Sequence, residues 1–131
     1  KPEPTEAFTN RSLTKYKLII DDFGGWDLFQ DLLKVLRTVA DRHDATIGQV
    51  AVRWVHSRPM VAAAIVGATS TRHLDENVRI FDLTLTDQDY ADIEAVRSKR
   101  QGPEGDCYDL ERDKTGRHGS IMKYNLNDDR D

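Results

Sequence analysis

The chain has 131 residues, enough for one domain with a modest core. A net charge of −4 with scattered Lys and Arg argues against a nucleic-acid or anionic-membrane surface. A single cysteine, Cys107, excludes an intramolecular disulfide and suits a reducing compartment, and the longest apolar run, Met60 to Ala68, is too short to span a bilayer.

The first residue is Lys1 rather than Met, and the two prolines Pro2 and Pro4 mark loop, so processing or truncation is expected. No secretory leader is visible, and the expectation is a soluble intracellular chain, in the cytoplasm or the plastid stroma. Residues 1–25 read as a long loop of the kind that serves as lid or linker. Its one extended piece is Tyr16 to Ile20, broken by Asp21, Asp22, Phe23, Gly24 and Gly25. Trp26 to His43 predicts a strong helix, because Leu28, Phe29, Leu32, Leu33, Leu36, Val39 and Ala40 recur at helical spacing. Thr46 and Gln49 form a capping box that opens a second helix, with Ile47, Val50, Ala51, Trp54 and Val55 on one face and Pro59 as its stop. Arg53 and His56 fall outside that stripe, and His56 reads as a solvent-facing or packing histidine rather than a ligand.

From Val61 the chain is continuously apolar, which predicts a parallel strand covered on both faces. Gly67 and Ala68 end it, Thr69, Ser70 and Thr71 follow, and a helix is expected from about Thr71 to Phe81 with Ser70 or Thr71 as N-cap. Leu74, Val78 and Phe81 are its expected buried face, and its first turns carry Arg72, His73, Glu76 and Asn77. A turn that leads from a strand into a helix N-terminus aims backbone N–H groups and a positive dipole end at one spot, which suits a phosphate. His73, Glu76 and Asn77 stand three and four residues apart and share a face. The plain alternative is that they are exposed helix residues and Gly67 is only a turn glycine. Leu83 to Thr86 reads as a short link, and Thr86 opens a last helix with Tyr90, Ile93 and Val96 inward. Past Arg100 a breaker cluster leads into a polar tail, disordered or draped over a surface, with Tyr108, Leu110, Ile121, Met122, Tyr124 and Leu126 as its anchors.

The run from Gly67 to Asn77 resembles the last strand-to-helix segment of aldo-keto reductases. Gln49 to Trp54 is similar to the core of that family's penultimate helix, Phe81 to Thr86 to the link before its final helix, and Gly105, Asp106 and Cys107 to a tail seen in one subgroup. The resemblance covers roughly residues 10 to 112. It implies an α/β fold, the C-terminal part of a (β/α)8 TIM barrel, mostly helical in this chain with one clear barrel strand. A complete barrel needs about 250 residues. On this reading residues 1–25 are the loop after the seventh strand, 26–100 hold the last helices and the eighth strand with the cofactor-binding turn, and 101–131 are the tail.

The resemblance also implies a nicotinamide cofactor, NADP with NAD as the alternative. Gly67, Ala68 and Thr69 would approach the adenosine 2′-phosphate and ribose, His73 would stand beside the adenine, and Glu76 and Asn77 would read its polar edge. His73 replaces the family's Gln or Arg, and Gly67 stands where another form of the family has Lys, which leaves Arg72 as the substitute cation. The family's catalytic Tyr, Asp, Lys and His come from its N-terminal half. Tyr16, Tyr90, Tyr108 and Tyr124 do not match the catalytic position, so no catalytic residue and no metal ligand is assigned. Two readings follow. In one, the chain is the cofactor-side part of an NAD(P)H-dependent aldo-keto reductase that reduces small-molecule carbonyls once completed by the missing N-terminal barrel half. In the other, it is a repurposed accessory subunit that docks Leu28, Leu32, Leu36, Trp54 and Val55 onto a partner protein while its tail wraps it. Neither reading includes nucleic acid or a membrane span.

Overall fold

The computed structural model describes residues 1–67 and 71–122. Among them are six α-helices: α1 Arg11–Phe23, α2 Gly25–Arg42, α3 Ile47–His56, α4 Leu74–Val78, α5 Asp87–Arg97 and α6 Cys107–Arg112. Single 3₁₀ turns cover Thr71–His73, Arg79–Phe81 and Gly119–Ile121. The chain divides into two units, one of residues 27–99 and the other of residues 1–26 with the segment from Arg100 onward.

The first unit holds a hydrophobic core. Apolar positions on α2 turn Leu36, Val39 and Ala40 inward, where they meet Val50 of α3, Leu83 and Leu85 of the link, and Ile93 of α5. Both partner helices begin with a reciprocal cap. The Thr46 hydroxyl accepts from Gln49 N–H while the Gln49 side chain accepts from Thr46 N–H, and Thr86 with Asp89 does the same for α5. Asp89 also ties α5 to the end of α2, since its carboxylate accepts from Arg42 at 2.7 Å and lies 2.7 Å from His43 Nε2. Its side chain is 1% exposed. Burial opposes its ionisation, but hydrogen bonds from Thr86, His43 and Arg42 outweigh burial and hold the carboxyl far below the usual carboxylate range.

The second unit is thinner. Asn10 caps α1 by accepting from Ser12 N–H, and Gly24, at φ 137°, closes it with a bond from its N–H to the Ile20 carbonyl. Asp106 caps α6 by accepting from Tyr108 N–H.

Several expectations are corrected. Among the described residues there is no β-strand, so the expected α/β class with one clear barrel strand does not hold: residues 61–67 are irregular. A strand exists only through a ladder with a neighbour. Here Val61 N–H makes a turn bond to the Arg58 carbonyl, and Ile65, expected to be covered on both faces, is fully exposed. Residues 11–23, expected within a loop, form α1, because Asn10 supplies an N-cap and Leu13, Tyr16, Ile20 and Phe23 follow helical spacing. The helix expected over residues 71–81 is only one short α-helix between two 3₁₀ turns. Its expected buried face is exposed at Leu74, Val78 and Phe81, and Ile80 is the buried residue instead. The proposed docking stripe is also altered, since Leu36 lies in the core and Leu32 and Trp54 pack against it. Within the tail, α6 and the turn at Gly119–Ile121 are ordered elements packed on each other. Tyr124 and Leu126 lie outside the described residues.

Candidate functional site

The segment from Gly67 to Asn77 is held in place from α3. Gln49 is buried, and its side chain works in two directions: Oε1 accepts from Thr46 N–H at 2.8 Å, and Nε2 donates to the Glu76 carbonyl at 2.7 Å. The residue that caps α3 therefore also anchors α4. The turn at Arg79–Phe81 packs on α3 as well, so α4 is secured on both sides.

The outer face of α4 carries the polar candidates. His73 Nδ1 lies 3.0 Å from Glu76 Oε2. Both side chains remain substantially exposed, at 38% and 50%. His73 thus orients the Glu76 carboxylate. Asn77, half-buried, lines an apolar groove of about 570 Å³ together with Ala62, Ala64, Val66, Leu74 and Phe81. His56 lies on the same groove, edge-on to Phe81 at 5.7 Å, which agrees with its reading as a packing histidine. Gly67 is open, since a Cβ built there would meet no atom within 4 Å. Ala68 and Thr69 lie outside the described residues, as does the Arg72 side chain.

The structure thus brings His73 and Glu76 into contact and sets Asn77 one position further on, at the groove. A carboxylate oxygen that accepts and an amide that both donates and accepts match the polar edge of a purine, which offers an amino group beside a ring nitrogen. Sequence reasoning missed the role of Gln49 toward α4. Its capping box was visible locally, but no local signal links it to a carbonyl 27 positions away. It also missed the stacking of Arg58 on Trp54, with the guanidinium carbon 3.8 Å from the ring centroid.

Among the described residues no helix is long and apolar enough to cross a membrane, and no group of three His, Cys, Asp or Glu is placed to hold a metal ion.

Comparison with known proteins follows this geometry. The model of the "Aldo/keto reductase family" matches residues 1–98. Among curated proteins, the chain is 26% identical over 73 residues to "Aldo-keto reductase str7" of Strobilurus tenacellus, covering 56% of this chain and 22% of the relative. It is 31% identical over 70 residues to "Aldose reductase B" of Dictyostelium discoideum, covering 52% and 22%. It is 29% identical over 66 residues to "NAD(P)H-dependent 6'-deoxychalcone synthase" of Glycine max, covering 50% and 20%. The chain spans about a fifth of the length of these relatives. No solved structure matches. The match over residues 1–98 takes in α2, α3, α4 and α5 and the whole anchored segment, and by it the chain belongs to the aldo/keto reductase family.

Proposed function

We propose that this chain is the C-terminal, cofactor-side part of an NAD(P)H-dependent aldo-keto reductase. The observation that carries this reading is the pinned polar face of α4, where Gln49 fixes the Glu76 carbonyl and His73 orients the Glu76 carboxylate, within the family match. Glu76 and Asn77 take the polar edge of the adenine, and His73 stands beside it. Gly67, Ala68 and Thr69 approach the adenosine ribose and 2′-phosphate, with Arg72 as the nearby cation. NADP is the preferred cofactor and NAD the alternative. The cofactor supplies the hydride when bound, and the substrate is a small-molecule carbonyl. This chain's residues bind and orient, and the chemistry requires an N-terminal half.

The apolar groove supports the need for a partner. Leu74, Val78 and Phe81 line it and lie half or more in solvent, an exposed apolar surface of the kind that marks a protein contact. The same surface suits the second reading, an accessory subunit docked on another protein. Titration with NADPH, followed by nucleotide fluorescence, tests the first reading on the chain alone and with the N-terminal half of an aldo-keto reductase added. Saturable binding in either arm supports it; no binding at millimolar nucleotide in both arms would sink it.

A further inference from the structure

The segment from Asp113 to Met122 has no role in the cofactor reading, yet it is specifically attached. Asp22, near the end of α1, receives two consecutive basic side chains: Arg117 pairs with one carboxylate oxygen, and His118 Nε2 lies 2.6 Å from the other. Arg117 also donates to the Leu18 carbonyl at 3.0 Å, one turn earlier on α1. A cation near the C-terminal end of a helix is favoured by its dipole. Gly119 seats the segment on the end of α6, because a Cβ there would fall 2.0 Å from the Asp113 carbonyl oxygen and 2.8 Å from that of Glu111.

The apolar residues of this segment, Ile121 and Met122, are only half-buried. The buried hydrophobic residues all lie between Leu36 and Val96, so among the described residues this unit has none. Contacts that are mostly polar and partly solvated open at low cost. His118 is also placed as a wall. It lines both a groove of about 480 Å³ with Tyr16, Ile19 and Leu110 and an adjoining cavity of about 420 Å³ with Asp22, Asp109 and Asp113. Leu110 lines both as well.

We propose that residues 113–122 are a strap, latched on α1 through Asp22, that opens independently of α1 and controls access to the groove between α1 and α6. Hydrogen exchange read by mass spectrometry, with limited trypsin cleavage after Lys114, tests this on the full chain. Asp22→Asn removes the latch, and Gly119→Ala blocks the seat without touching it. In both variants the amides of Ser120 and Met122, bonded to the Gly116 and Gly119 carbonyls, are expected to exchange at least about tenfold faster, and cleavage after Lys114 to accelerate, while α1 keeps its protection. Unchanged strap exchange in both variants overturns the proposal. So does loss of α1 protection together with the strap, which would make the segment an integral part of the fold.

Discussion

Gln49 and Asp89 show how much single side chains do in this molecule. Gln49 satisfies the first turn of α3 and the Glu76 carbonyl at once, so truncation removes both hydrogen bonds of a buried side chain together. Gln49→Ala is expected to cost about 1–3 kcal/mol in urea unfolding and to loosen the amides of α4 before those of α2. Asp89 is the deeper commitment. Asp89→Asn is expected to cost about 2–4 kcal/mol, because one amide oxygen cannot serve both Thr86 and Arg42 and the charge that pairs with Arg42 is lost. The sign of its pH dependence follows from its depressed folded pKa. Its stabilisation is complete above the unfolded carboxylate value of about 4 and drains away as pH falls toward the folded value. Thermal unfolding between pH 6 and pH 3 checks this: the wild type should lose stability across that range, and Asp89→Asn should lose less. Gln49 was legible as a cap from Thr46 three positions earlier, but its bond to Glu76 was not, since nothing local encodes it.

Among the elements, α2, α3 and α5 could be read from sequence because their signals are local: an apolar face repeated along α2, and a capping box at the start of α3 and of α5. The core they build can be probed at Leu36, where Leu36→Ala is expected to cost about 2–4 kcal/mol by chemical denaturation. α1 escaped because β-rich Tyr16, Ile19 and Ile20 drew attention from the helical spacing that starts at Asn10. Residues 61–67 failed in the opposite direction. Their apolar run resembles a buried strand, but strand formation depends on a partner elsewhere, which periodicity cannot supply. The candidate site was legible as residue types on a face at His73, Glu76 and Asn77. That the face carries a His73–Glu76 contact and is pinned from behind was not.

At the level of the whole molecule, one unit is built on a buried core and the other is held by caps and ion pairs. Under the proposed function, the exposed apolar groove beside α4 receives the completing half. Phe81→Glu and Ile65→Lys, both at exposed positions, are expected to change the chain's own stability by less than about 0.5 kcal/mol. They should abolish co-elution with an N-terminal half in size-exclusion chromatography with light scattering. The central claim, that α4 presents an adenosine-binding face, is most directly tested by amide shifts of the 15N-labelled chain during NADPH titration, alone and with that half present. Shifts that centre on Gly67, His73, Glu76 and Asn77 and shrink in Glu76→Ala are the expected result. Shifts centred elsewhere, or none at millimolar NADPH in either arm, would contradict it.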